Sequence, residues 1–93
     1  MPPPATTSTV DPNEAAAIAL NALAWAIAEP ARASRLLDLT GLTPDDLRAR
    51  ADDSAVLAAV LGFLESHEPD LVACAAAMGV APERLIAAAR VLA

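Results

Sequence analysis

His67 and Cys74 are the residues of this chain best suited to metal or nucleophile chemistry, since each is the only one of its kind. His67 lies among Glu65, Glu68 and Asp70. An imidazole with carboxylates could bind a divalent ion or carry a proton. No ligand spacing specifies such a site, and acidic residues are what a helix start selects anyway. Cys74 follows His67 by seven positions, about 10 Å along a continuous helix and too far for a nucleophile–base pair. A small buried apolar group is the plainer reading of Cys74. Glycines stand isolated at 41, 62 and 79, so no phosphate-cradling loop is present. The expectation is a protein that is not an enzyme and carries no cofactor.

Arginine is the other candidate. Arg32, Arg35, Arg48 and Arg50 bracket Gly41 and could fold into one basic face for a small anion, RNA or an acidic partner. Asp38, Asp45, Asp46, Asp52 and Asp53 interleave with them, so surface ion pairing is the competing account. Arg48 is expected to tie its short helix to a carboxylate or to exposed helix-end carbonyls, including near Glu68. The stretch from Ala73 through Gly79 to Ile86 has the outline of a helix-turn-helix. Its second helix, however, offers only Arg84 and Arg90 to a nucleic acid.

The bulk numbers narrow the field. The 93 residues fit one domain. Six arginines and no lysine stand against twelve Asp and Glu, a net charge of −6 that disfavours nucleic acid and anionic lipid as partners. A lone cysteine excludes an intrachain disulfide and fits a reducing cytoplasm. Apolar residues make up 56% but aromatics only 2%, with no tyrosine, which favours helices over sheet. The longest uncharged run, 15–28, is shorter than a membrane span requires.

Punctuation sets the helices that must position these residues. Residues 1–10, rich in Pro and Thr, read as a disordered tail ahead of a helical domain at 11–93. Asp11-Pro12-Asn13-Glu14 starts a helix over 12–29, apolar around more than half its circumference. Pro30 opens a helix to about 39 that Gly41 ends, with Leu36, Leu37 and either Leu39 or Ala33 inward and Arg32 and Arg35 outward. Thr43-Pro44-Asp45-Asp46 starts a short helix to about 51. Asp52 or Asp53 caps a helix over 54–66, striped by Leu57, Val60, Leu61 and Leu64. Gly62 inside it suggests close approach of another helix. Pro69 opens a helix to Met78, with Leu71, Val72, Ala75 and Met78 inward, and Pro82 opens the last. The fold expected is all-α, an irregular bundle of five or six short helices centred on those at 12–29 and 54–66.

Ala19-Leu20-x-x-Leu23, then Leu36-Leu37-x-Leu39-Thr40-Gly41-Leu42-x-Pro44-x-x-Leu47-Arg48, then Leu57-x-x-Val60-Leu61-x-Phe63-Leu64 and Glu68-x-x-Leu71 together resemble domain-of-unknown-function family 3572, small bacterial proteins typical of alphaproteobacteria. The likeness spans about 13–92 and is most specific at Thr40–Arg48. It implies an acidic residue at the position of His67 and commonly a Phe at Leu36 or Leu37, where this chain departs. It implies no activity. The expectation is a protein–protein interaction module whose partner is an unknown protein or a second copy. Nucleic-acid binding is the alternative, and small-anion or metal binding a further one. The positions singled out for interaction are Arg32, Arg35, Arg48, Arg50, His67 and Glu68.

Overall fold

The computed structural model describes residues 10–93. The expected tail falls on residues 1–9, outside the described residues, except for Val10. Val10 is buried in the core, at the position before the helix cap where an apolar side chain staples the first turn.

Six helices follow: α1 (Pro12–Ile27), α2 (Pro30–Thr40), α3 (Pro44–Ala49), α4 (Ser54–Glu65), α5 (Glu68–Met78) and α6 (Pro82–Leu92). The described residues contain no strand. Local chemistry sets their limits. The Asp11 carboxylate accepts the Glu14 N–H at 2.7 Å. Thr43 and Asp46 close a reciprocal capping box, the Asp46 N–H donating to the Thr43 hydroxyl at 3.1 Å and the Thr43 N–H to the Asp46 carboxylate at 2.9 Å. Donation from the Thr43 backbone, then its side chain, with Arg50 nearby, holds the Asp46 carboxyl below the usual carboxylate range. Asp53, not Asp52, caps α4, accepting the Ala55 N–H at 2.8 Å. Gly41 and Gly79 end α2 and α5 with φ of 78° and 72°, a left-handed conformation that glycine adopts without strain. At Gly79 the Val80 N–H reaches the Ala75 carbonyl at 3.0 Å and the Gly79 N–H the Ala76 carbonyl at 3.2 Å, which is the paired closure of a Schellman turn.

The centre is a triangle of α1, α4 and α6. α6 therefore belongs to the core, where the expected centre held only α1 and α4. Leu85 and Ala88 are fully buried on it. α4 supplies the bulk, with Val56, Leu57, Val60, Leu61, Phe63 and Leu64 all buried. α1 supplies a row of fully buried alanines, Ala15, Ala19, Ala22 and Ala26, flanked by Ile18 and Leu23. α5 closes against this triangle, and α2 lies on α1 and α4 through Leu36. α3 buries no residue completely and rests on the core through Leu47.

Of the two alternatives on α2, Ala33 is half-buried and Leu39 is 69% exposed. Val72, expected inward, is 48% exposed, because α5 covers the triangle with one narrow stripe of Leu71, Cys74 and Ala75. A Cβ added at Gly62 would meet nothing within 4 Å. The α4–α6 contact passes beside Gly62 and leaves a shallow groove there with Ala58 and Ala89.

Arg48 is also corrected. It pairs at 2.5 Å with Asp45 on its own helix, and both side chains are open to solvent. Among the described residues it ties α3 to nothing else. Replacing Arg48 by Met is expected to leave the thermal melt unchanged, because exposed pairs of this kind contribute little. Thr43→Ala is expected to cost about 1 kcal/mol through the lost cap. Circular dichroism melts of both variants check the pair.

Candidate functional site

The break between α1 and α2 organises a polar cluster around Arg32. α1 stops at Ile27 because Pro30 has no N–H to continue its ladder, so its last carbonyls need other donors. Ala28 donates to the Trp25 carbonyl at 3.3 Å, and the Arg32 guanidinium donates to the same oxygen. That guanidinium also lies 3.6 Å from the Trp25 ring centroid and 3.7 Å from Glu29. A cation over an indole face and at a helix C-terminus is favourable on both counts. The Arg32 side chain is only 14% exposed, against the outward orientation expected of it. A carbonyl left open by the proline and an uncovered indole draw it inward.

Arg35 extends the same arrangement to α5, pairing at 3.1 Å with the largely buried Asp70. Arg50 bridges α3 and the cap of α4, at 3.7 Å from Asp46 and 3.2 Å from Asp53. Arg84 pairs with Glu14, joining α6 to the first turn of α1. Five of the six arginines are therefore paired with carboxylates, and the four around Gly41 do not converge on a free basic face. Arg90 alone lacks such a partner among the described residues. α6, the second helix of the helix-turn-helix outline, meets α5 at 102° but is held among α1, α4 and α5. That placement lends a recognition-helix role no support.

His67 caps α5 through its backbone, its carbonyl accepting from Asp70 at 3.0 Å and Leu71 at 3.2 Å, while its side chain makes no capping bond. His67 and Glu68 are exposed, and Asp70 turns away from them toward Arg35. No group of three His, Cys, Asp or Glu among the described residues is placed to hold a metal ion.

A second feature escaped the sequence reading. Ile18, Asn21 and Trp25 on α1, with Ala77, Met78 and Val80 opposite, line an open cleft of about 460 Å³. Its walls continue into uncharged, solvent-facing helix surfaces. On α1 these carry Ala17, Leu20, Ala24 and Ile27, and on α5 Val72, Ala73, Ala76 and Ala77. Leu20 is 41% exposed and Ile27 46%, while the alanines of α1 fill the interior. The large side chains of α1 are thus divided, and two of them point away from the core.

A family model described as "Protein of unknown function (DUF3572)" matches residues 12–93. The chain belongs to the DUF3572 family. The matched span begins at the first residue of α1 and contains all six helices. No curated protein and no solved structure matches the chain. Among the described residues, no single helix of this DUF3572 chain is long and apolar enough to cross a membrane.

Cys74 sits beneath the Arg32 corner, fully buried, its thiol 3.7 Å from the Met78 sulfur. Burial pushes the thiol up to about 11; Arg32 nearby pulls it down and Asp70 pushes it up. It is therefore a poor nucleophile near neutral pH. Iodoacetamide at about pH 8 is expected to modify the folded protein at least about a hundredfold more slowly than the unfolded chain, read by mass spectrometry. Arg32→Met is expected to cost about 2 kcal/mol through the lost charged hydrogen bond and ring contact, lowering the melting temperature by about 10 °C. Arg32→Lys should recover only part of it, because an ammonium does not stack as a guanidinium does.

Proposed function

We propose that this domain is a protein–protein interaction module without catalytic activity, acting in the cytoplasm, with the uncharged α1/α5 face around the Trp25 cleft as its contact surface. The observation that carries the reading is the outward placement of Leu20, Ile27 and Val72 on the uncharged surfaces of α1 and α5 beyond the cleft, while α1 turns alanines to the core. A small domain gains little by exposing large apolar side chains on two helices unless another surface covers them.

The chemistry of that surface selects its partner. No charged residue interrupts α1 between Glu14 and Glu29, nor α5 after Asp70. The complement is an apolar helix face rather than a phosphate backbone or an acidic peptide. Absence of catalysis is supported by the use already made of the polar groups. Asp11, Thr43, Asp46 and Asp53 cap helices, five arginines are paired, and Cys74 is buried and protonated. A single unpaired thiol fits the reducing cytoplasm.

The test is a double substitution, Leu20→Asp with Val72→Asp, both at exposed positions where folding should survive. The intact chain, immobilised in bacterial extract that also contains soluble intact chain, is expected to retain proteins, that soluble copy included, that the double variant loses, with helical circular dichroism equal in the two. Identical sets of retained proteins would overturn the reading.

A further inference from the structure

The outward stripe of α1 has an internal order that identifies one partner. Its members lie at 17, 20, 24 and 27, the alternating three- and four-residue spacing of a helix–helix seam. Small and large residues alternate along it as Ala17, Leu20, Ala24 and Ile27. Run antiparallel against its own copy, every layer of this stripe sets a small residue against a large one. Ala17 meets Ile27 and Leu20 meets Ala24, and the twofold axis repeats both pairs. A parallel alignment would instead stack alanine on alanine and leave gaps.

We infer that α1 pairs with α1 of a second copy in an antiparallel, twofold-symmetric contact. The inference rests on the interaction reading above and names its partner. A twofold contact demands a surface complementary to itself, and this stripe is so about its midpoint. Charge restricts where two copies can meet. Copies carrying a net charge of −6 repel one another, and the seam runs where α1 has no charge between Glu14 and Glu29. Antiparallel alignment also sets each helix N-terminus beside the partner's C-terminus, which the helix dipoles favour. Alanine at alternate layers lets the axes approach to the short end of ordinary helix spacing, about 8 Å.

Size sets the strength. The uncharged run of α1 is about 20 Å long and a helix about 10 Å across. The seam alone falls well below the roughly 800 Å² per partner of a standard interface. Asn21 lies on the flank toward the cleft, close to the axis and opposite its own copy, so the contact widens on the side of α5. The pair belongs to the small, reversible class of interfaces, with dissociation in the micromolar range.

Sedimentation of the whole chain across the micromolar range is expected to show mass rising from one copy toward two. Leu20→Asp should weaken that association at least about tenfold with the helical dichroism unchanged. Single-cysteine additions then read the alignment, because buried Cys74 gives the unmodified chain as an unreactive control. A short bis-maleimide should join Asn21→Cys chains into dimers efficiently. It should join Ala17→Cys chains poorly, since Ala17 and its copy stand about 15 Å apart along the axis. Mixing Ala17→Cys with Ile27→Cys chains should restore linkage. A monomer throughout the range, or Ala17→Cys linking as readily as Asn21→Cys, overturns the pairing. If the double variant of the preceding section still loses proteins that the intact chain retains, only the choice of partner has failed.

Discussion

Alanine is the constraint from which the rest of this structure follows. α1 turns four alanines inward, and α6 buries Ala88 and Ala89 beside Leu85. Small side chains let helices come close but remove little apolar area from water per residue, roughly in proportion to their size. Two consequences are visible. The volume of the interior must come from elsewhere, and α4 provides it with six large buried side chains on one twelve-residue helix. The alanine contacts cannot grow either, since an added methylene in a close-packed seam forces side chains or backbone to shift.

Arginine solves a different problem. The helices are short, and breaks at Pro30, Pro44, Pro69 and Pro82 leave many helix ends to be satisfied. Arg32 does so at the end of α1, where backbone oxygen, indole and carboxylate are all within its reach. Arg35, Arg50 and Arg84 each join two elements through carboxylates. The side chains that in sequence suggest a basic binding face are taken up by carboxylates, and Arg32 and Arg50 hold α2 and α3 to the central helices. The solvent-facing surface of α1 between Glu14 and Glu29 is uncharged.

The boundaries of the helices were legible because their signals are local. Asp11, Thr43, Gly41 and Gly79 each act within four residues, so their types and offsets suffice to place them. The stripe of α4 was equally plain, because large apolar residues there alternate with small or polar ones. α1 offered no such contrast. With alanine on every side, periodicity could not separate its buried row from its outer one, and a helix covered on several sides was the natural reading. Arg32 was hidden for another reason. A charged residue on a short helix belongs outside by default, and only the geometry of the proline break places an open carbonyl and an indole beneath it. A tryptophan seven residues before an arginine, across a proline, was the one available hint. The central place of α6 depends on contacts between the two ends of the described chain, which no local pattern carries.

That last arrangement bears on the order in which the fold can be completed. α1 finds its principal neighbour in α6, whose first residue follows its own by about seventy positions. During synthesis the inward alanine row of α1 has α4 to lie against but lacks its principal neighbour until α6 has been made. The early helices can form, since their caps are local, but the interior closes only when α6 docks. In contact-order terms, short-range hairpins assemble around one obligatory long-range closure.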